Sequence, residues 1–505
     1  MTERDGQLAT IQISGRRRYV PLAVCAIIFF VLLLIPFKII SYGYMPYDDA
    51  LRHSAKAVCG KPWSEILVLG DWYKVDHNFG WHLFLRQIHL FLKVDADWLV
   101  VFSIVFLFIS IGWSALPWLR RPEAWLVALL LVGLVATPER IMFGRPFILT
   151  MCALSTILLL WNKHSSRLPG WRTVMGFTLL IATAVFVHGT WYLWVLPTAA
   201  FFLARQYRWG LALAISSVIG TVLGATLTGH PVDYIFESVQ MAFKAIGGHQ
   251  ITSSLADELR PGSINPIILF MLIGWLVARK LANLGGSIIR NPAFWLVCLG
   301  LLLGLKVQRF WYDWGMPAML VLFACDGQLF LEKHMTAGSS KRVVLSGVLA
   351  VATYLMFTSD HGYRWTRNLI NQNQYLTQTN PELNGWLPGK GGIFYTADMS
   401  MFYRTFLKNP NADWRYIVGF EPTLMPASDF KTFRQILTTY DWQDYKPWVE
   451  KMKPEDRLFI PGSPDVTPQL PELEWKHLGQ SGIWGGRLRQ KFAVPETRLF
   501  GQSGL

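Results

Sequence analysis

The sequence predicts a polytopic α-helical membrane protein with a small α/β domain at its C-terminal end. Of its 505 residues, 52% are hydrophobic and only 16% are charged, whereas soluble proteins carry about 25% charged residues. Apolar runs that approach the roughly 20 residues of a transmembrane helix recur up to residue 358. Beyond it the pattern changes to short strand-like and amphipathic segments. We therefore expect a helical bundle in the membrane, followed by a separate domain.

The apolar runs define a membrane topology. We predict about eleven spans, at residues 19–41, 97–117, 123–138, 147–162, 173–188, 189–204, 209–228, 264–280, 292–306, 314–331 and 342–358. Basic clusters such as Arg16–Arg18 and Arg120–Arg121 fall in alternate loops, so the positive-inside rule places the N-terminus in the cytoplasm and the C-terminus outside. The expected parts are a cytoplasmic N-terminus (1–18), a transmembrane domain (19–358) and an extracytoplasmic domain (359–505).

The formal net charge of +14 does not indicate a nucleic-acid partner. The basic residues are spread in short clusters between the apolar runs, which is the pattern of cytoplasmic membrane loops. Such clusters also suit anionic lipid headgroups. Membrane lipids are therefore the expected partners of this charge.

Three polar stretches are expected on the outer face: the loop 42–96, the loop 229–265 and the tail from residue 360. Within the first, residues 77–93 have apolar side chains at helical spacing and predict a helix that lies on the membrane surface. The tail is long enough for a domain of its own. Its expected elements are strands within 391–398, 413–420 and 456–462 and an amphipathic helix at 427–440.

Two adjacent carboxylates, Asp48 and Asp49, follow the first span closely and open a helix behind Pro46. The helix dipole alone favours carboxylates there. Arg52 and His53 follow on the same helix, at i,i+4 spacing from Asp48 and Asp49, so we expect the pairs Asp48–Arg52 and Asp49–His53. A carboxylate at this place can deprotonate a hydroxyl or hold a divalent cation against a phosphate. Both aspartates are candidate catalytic residues, and candidate metal ligands if a metal ion is used.

Arginines on the predicted outer face are the second signal. Arg140 and Arg145, with Glu139, lie in the short loop between the third and fourth spans, and Arg309 lies near Asp313 before the tenth. Arginine at an interface can simply extend its charge into water. Placed on the side that disfavours positive charge, however, it indicates an anionic partner, and a guanidinium can fork two phosphate oxygens. Arg140, Arg145 and Arg309 are candidate phosphate ligands.

Further residues are candidates for the lining of such a site. Most of the histidines are more simply explained as structural residues, and none has the spacing of a zinc motif. No P-loop, dinucleotide-binding or nucleophile-elbow motif is present. The candidate lining residues are Arg52, His53, Glu139, His188, His249 and Asp313.

The sequence Tyr47-Asp48-Asp49 just after the first span, the many spans and the large outer tail resemble the polyprenyl-phosphate-dependent glycosyltransferases of the type C fold. The resemblance covers most of residues 15–360 in organisation. It implies that Asp48 or Asp49 is the catalytic base on the outer face. It also implies a donor sugar on undecaprenyl or dolichyl phosphate and transfer with inversion to a glycan, lipid or protein acceptor. The expected location is the bacterial plasma membrane.

Two other classes of function remain open at this stage. A transporter or flippase of an anionic lipid or lipid-linked glycan also places Arg and Asp along a pathway, but such proteins often show paired halves. No internal repeat is visible here. A non-catalytic scaffold of an envelope-assembly complex would use the acidic pair only to start a helix.

Overall fold

The computed structural model describes residues 3–133, 138–246, 266–367, 375–478 and 481–489. Up to residue 358 the described chain is mostly helical, and its longest irregular stretch, residues 60–78, contains only one short helix. These helices are α1 (Glu3–Ser41), α2 (Asp49–Cys59), α3 (Trp63–Ile66), α4 (Phe79–Leu92), α5 (Ala96–Ser114), α6 (Glu123–Gly133), α7 (Glu139–Met142), α8 (Phe147–His164), α9 (Trp171–Val187), α10 (Val195–Leu203), α11 (Tyr207–Thr226), α12 (Pro231–Ile246), α13 (Pro266–Leu281), α14 (Pro292–Gly304), α15 (Met316–His334) and α16 (Lys341–Thr358).

Six helical segments among the described residues are long and apolar enough to cross a membrane, which indicates a membrane protein. They are Tyr19–Ser41, Ala96–Ser114, Phe147–His164, Tyr207–Thr226, Trp311–His334 and Lys341–Thr358. The other five predicted spans coincide with the shorter helices α6, α9, α10, α13 and α14. The predicted number of about eleven spans is therefore not confirmed. Helix α6 is described only to Gly133, so residues 134–137 of that predicted span lie outside the described residues.

A π-helical turn, Trp311–Gly315, leads into α15 and packs on α14. The contact is close because both elements present glycine: a Cβ on Gly300 would lie 2.6 Å from the Cα of Gly315. Since no larger side chain fits between the two backbones, the turn is held against α14. This packing fixes the position of the side chains that the turn carries, including Asp313.

The C-terminal unit contains a five-stranded sheet and three α-helices within the described residues. Its elements are β1 (Ile393–Tyr395), α17 (Met399–Lys408), β2 (Arg415–Tyr416), α18 (Ala427–Thr439), α19 (Lys446–Val449), β3 (Arg457–Pro461), β4 (Leu473–His477) and β5 (Ile483–Leu488). The strand order is β2-β1-β3-β5-β4. Strand β1 is parallel to β2 and β3, whereas β5 is antiparallel to β3 and β4. This confirms the predicted α/β character and the three strands and the helix that were named; β4, β5, α17 and α19 were not predicted.

The C-terminal unit docks on the loop 42–96. Residues just after α3 run beside β2, where the Val68 amide donates to the Tyr416 carbonyl at 2.9 Å, and Leu67 forms a bridge with Tyr416. Lys408 of α17 forms an ion pair with Asp97 at 2.7 Å. The loop thus extends the edge of the sheet, and the C-terminal unit is held next to the acidic pair.

Candidate functional site

The acidic pair lies where α2 begins, as predicted, but its partners differ from the expected ones. Asp49 is the first residue of α2, and its carboxylate accepts a hydrogen bond from Arg52 Nε at 2.7 Å. Asp48 accepts one from Arg145 Nη2 at 2.5 Å. Arg145 Nε also lies 3.6 Å from the second oxygen of Asp49. One guanidinium therefore bridges the two carboxylates.

The predicted pairs Asp48–Arg52 and Asp49–His53 are wrong. Arg52 pairs with Asp49 at i,i+3 spacing, and His53 forms a hydrogen bond with His82 on α4 instead. Both i,i+3 and i,i+4 neighbours share a helix face, so spacing alone does not choose between them. Asp48 precedes the helix with φ −138° and ψ −132°, which turns its side chain towards Arg145.

A glycine turn brings Arg145 to the acidic pair. Gly144 has φ +68°, a conformation that favours glycine, and it separates α7 from α8. A Cβ there would lie 2.9 Å from the Ala50 Cβ, so a larger residue would push the turn away from α2. The turn in the sequence FGRPF therefore places the guanidinium of Arg145 next to the start of α2.

A cavity of about 200 Å³ opens beside the pair. Of the predicted site residues, those that line it are Asp49, Arg52, Arg145, His188 and Arg309. Asp48, His53, Glu139, Arg140 and Asp313 do not line it. His249 lies outside the described residues. Among the carboxylates of the acidic pair, only Asp49 faces the cavity.

Arg140 and Asp313 form a buried pair behind the wall of the cavity. Arg140 Nη2 donates to Asp313 Oδ1 at 2.5 Å, and both side chains are almost inaccessible. Asp313 also accepts a hydrogen bond from Arg309 Nε at 2.7 Å. The predicted role of Arg140 as a phosphate ligand is not favoured by this position. Asp313 instead orients Arg309, which does line the cavity.

His188 completes this side of the cavity. Arg309 Nη2 lies 3.5 Å from His188 Nε2, and His188 Nδ1 lies 3.1 Å from Thr190 Oγ1. Because a guanidinium only donates hydrogen bonds, Nε2 is the acceptor and the Nδ1 proton points to Thr190. This arrangement needs a neutral imidazole and holds Arg309 from a second direction.

The charges of the site favour an anionic ligand. Among the described lining residues, the guanidinium groups of Arg52, Arg145 and Arg309 outnumber the carboxylates of Asp49 and Glu421 by three to two. Burial raises the pKa of Asp49, but Arg52 and Arg145 outweigh this effect and hold its pKa well below the usual range. Asp49 is thus ionised at neutral pH and is a weak base while both arginines contact it.

A divalent cation at Asp48 and Asp49 fits this donor set poorly. Both carboxylates already contact guanidinium groups, whose positive charge opposes a cation. Within the part of the chain that the structure describes, no group of three His, Cys, Asp or Glu side chains is arranged to hold a metal ion. We assign no step to a metal ion.

A buried chain of hydrogen bonds, which no local sequence pattern predicted, joins α2 to α4 and to the turn before α4. Asp76 accepts from His82 Nδ1 at 2.5 Å, and His82 Nε2 lies 2.7 Å from His53 Nδ1. Burial lowers the pKa of His53 well below its usual value, with a further contribution from Arg52. Burial also lowers the pKa of His82, although Asp76 opposes it. Two neutral imidazoles in series give one consistent set of donors from His53 to Asp76.

We expect the protein to lose stability as the pH falls below about 6.5. The pKa of His53 and of His82 is lowered, and burial lowers the pKa of His77 to about 4. Below about pH 6.5 the unfolded chain therefore binds protons that the folded protein does not. Each such histidine lowers the free energy of unfolding by up to about 1.4 kcal/mol per pH unit. Thermal unfolding in detergent between about pH 8 and pH 5 measures this effect.

The variant His77→Phe should reduce that acid-side slope by up to about 1.4 kcal/mol per pH unit, because its ring can pack between Tyr73 and Tyr234 without a titrating group. His53 and His82 still contribute the rest of the slope. The exposed His361 provides the control: His361→Gln should leave the slope unchanged. Asp49 and Asp76, whose pKa values are lowered, contribute to the slope only below about pH 4. Stability that stays constant or rises on acidification to about pH 5 would contradict the argument.

Several residues that line the cavity were not among the predicted site residues. His77 and Asn78 come from the turn before α4, and Tyr403, Phe420 and Glu421 come from the C-terminal unit. Tyr403 is 350 or more residues from the acidic pair, and nothing in its local sequence separates it from the other tyrosines. Only His77, in the polar turn DHN, carried a signal of its own.

Comparison with known proteins found no family model and no curated protein that matches this sequence.

Proposed function

We propose that the protein is an integral membrane glycosyltransferase that moves a sugar from a polyprenyl-phosphate donor to an acceptor hydroxyl, with inversion. The observation that carries the proposal is the cavity in which Asp49 meets Arg52, Arg145 and Arg309. A carboxylate beside several guanidinium groups suits a reaction that needs one base and releases one phosphate. The six apolar helices support a lipid-linked substrate.

The step is a displacement at the anomeric carbon. Asp49 takes the proton of the acceptor hydroxyl, the oxygen forms a new bond to the anomeric carbon, and the bond from that carbon to the phosphate oxygen breaks. The bonding electrons leave with the polyprenyl phosphate. Arg145 and Arg309 stabilise the negative charge that grows on the phosphate, and Asp313 keeps Arg309 in place.

Phosphate binding also prepares the base. A bound phosphate competes with Asp49 for the guanidinium groups of Arg52 and Arg145, which contact the carboxylate in the ligand-free protein. As these contacts weaken, the pKa of Asp49 rises and the carboxylate becomes a better proton acceptor. This favours an order in which the donor lipid binds before the acceptor.

The apolar part of the lining provides a place for the lipid. Leu193, Met241, Val307 and Phe310 line the cavity beside the polar groups, and an isoprenoid chain prefers such a surface. We infer that the isoprenoid chain of the donor runs from the cavity between the spans. We also infer that the cavity opens on the extracytoplasmic face of a bacterial plasma membrane. About eleven spans with the N-terminus in the cytoplasm remain part of the proposal.

We expect the double variant Arg145→Ala/Arg309→Ala to bind a prenyl phosphate at least 100-fold more weakly than the wild type. Each lost charge-assisted hydrogen bond costs about 1.5–3 kcal/mol, and 1.4 kcal/mol corresponds to about tenfold in affinity. The probe is farnesyl phosphate, titrated calorimetrically into the detergent-solubilised full chain. Farnesol, which lacks the phosphate, is the reference ligand.

The control removes the same charge elsewhere, in Arg120→Ala/Arg415→Ala, because both arginines are exposed and neither lines the cavity. Farnesyl phosphate binding should be unchanged in this control. Equal binding by the wild type and Arg145→Ala/Arg309→Ala would overturn the phosphate-binding roles. Tight phosphate binding without any sugar transfer would favour a lipid transporter instead.

A further inference from the structure

The C-terminal unit contributes one wall of the cavity. Tyr403 lies on α17, which packs against α2, and Phe420 and Glu421 follow β2. Helix α17 is well fixed at its start, where Asp398 accepts a hydrogen bond from the Ser400 amide at 2.7 Å. The site is therefore incomplete without the C-terminal unit.

Among the buried tyrosines of the described residues, Tyr403 is the one that lines the cavity. The side chain is 7% exposed and lines the cavity, yet its hydroxyl forms no hydrogen bond with any described residue. By contrast, the hydroxyl of Tyr234 donates to the Val185 carbonyl. Because Tyr403 lines the cavity, its hydroxyl is available to a ligand that binds there.

The surroundings of Tyr403 define what this hydroxyl can do. Burial raises the pKa of Tyr403 well above its usual value, and the carboxylate of Asp49 adds to the effect. The phenol is therefore protonated at every physiological pH and can donate a hydrogen bond. Arg52 and Arg145, which lower that pKa in part, lie in the same electrostatic environment.

We propose that the Tyr403 hydroxyl donates a hydrogen bond to an anionic phosphate oxygen of the ligand that Arg52 and Arg145 hold. The inference rests on the proposed function in that it takes the ligand to carry a phosphate. A neutral donor suits this position because it strengthens phosphate binding without adding a positive charge next to Asp49. A further cation there would weaken Asp49 as a base. The C-terminal unit thus takes part in recognising the donor lipid.

The test compares Tyr403→Phe with the wild type, because this change removes only the hydroxyl and keeps the ring. Farnesyl phosphate is titrated into the full chain in detergent, as in the arginine experiment. Binding should weaken about tenfold, as expected for one lost hydrogen bond to a charged group. The loss should be the same between about pH 7.5 and pH 9, since neither the phenol nor the phosphate monoester titrates there. Farnesol binding and thermal unfolding should not change.

The matched control is Tyr416→Phe, since Tyr416 is also buried but lies away from the cavity. Its farnesyl phosphate affinity should equal that of the wild type. Wild-type affinity in Tyr403→Phe would overturn this inference alone. Absence of phosphate-dependent binding in the wild type would overturn both this inference and the proposed function. A tenfold loss of affinity in Tyr403→Phe, in a protein that transfers no sugar, would refute only the glycosyltransferase activity.

Discussion

Asp49→Asn should reduce sugar transfer at least about 1000-fold, because the amide cannot accept the proton of the acceptor hydroxyl. Asp49 is the member of the acidic pair that lines the cavity, and Arg52 and Arg145 hold it there. Farnesyl phosphate binding should persist in Asp49→Asn, since all three cavity arginines remain. Loss of turnover with retained phosphate binding would identify Asp49 as the base. It would also exclude a collapsed site.

Asp48→Asn is the matched comparison, because it makes the same chemical change one residue earlier. Asp48 does not line the cavity and acts through its contact with Arg145, so we expect a loss of about tenfold at most. Sugar transfer is measured by mass analysis of envelope glycans and lipids. Membranes that contain the wild type, one of the variants or neither are compared. Wild-type transfer in both variants, at normal expression, would refute the enzymatic assignment. A larger loss of sugar transfer in Asp48→Asn than in Asp49→Asn would mean that Asp48, and not Asp49, is the base.

Glu123→Met should destabilise the protein by about 3–5 kcal/mol, because it leaves a buried guanidinium without its partner. Arg342 forms two hydrogen bonds with Glu123, at 2.6 and 2.9 Å. The two side chains are 2% and 0% exposed. The pair joins the start of α6 to the start of α16, so its loss affects the packing of the bundle. Denaturant unfolding in detergent micelles measures the change.

A double variant separates the lost pair from the uncompensated charge. Glu123→Met/Arg342→Met removes both charges and should recover at least half of the stability lost in Glu123→Met, since apolar replacements of buried ion pairs are often neutral. Glu332→Gln, at an exposed glutamate of α15, should leave stability unchanged. If Glu123→Met changed the free energy of unfolding by less than about 1 kcal/mol, the buried ion pair would contribute no more than an ion pair on the surface.

The arginine candidates show why the predicted site was only partly correct. Arg145 and Arg309 were predicted as phosphate ligands because the predicted topology places their charge on the disfavoured side of the membrane, and both line the cavity. Arg140 satisfied the same criterion, but it is buried against Asp313. The criterion detects a charge that needs a partner. It does not distinguish a ligand from another side chain as that partner.

The sequence by itself determined the elements whose signals are local. The start of α2 at the acidic pair, the amphipathic helix α4 and the strands and helix named in the C-terminal unit follow from patterns within about 20 residues. The apolar runs predicted a membrane protein, although only six helices among the described residues meet the length of a span. Periodicity and hydropathy are properties of short windows, and for this reason they could be read without a structure.

Only the tertiary structure decided which residues of the acidic pair and its surroundings share one cavity. Asp48 and Asp49 are the same residue type and adjacent in sequence. At the start of α2, however, Asp48 contacts Arg145, whereas Asp49 lines the cavity. Tyr403 lines the same cavity as Asp49 because α17 packs on α2, and Asp313 orients Arg309. Some of these contacts join residues that lie far apart in the chain. Others depend on whether a side chain pairs with its i,i+3 or its i,i+4 neighbour on a helix. Packing of the whole molecule, rather than any local pattern, selects among them.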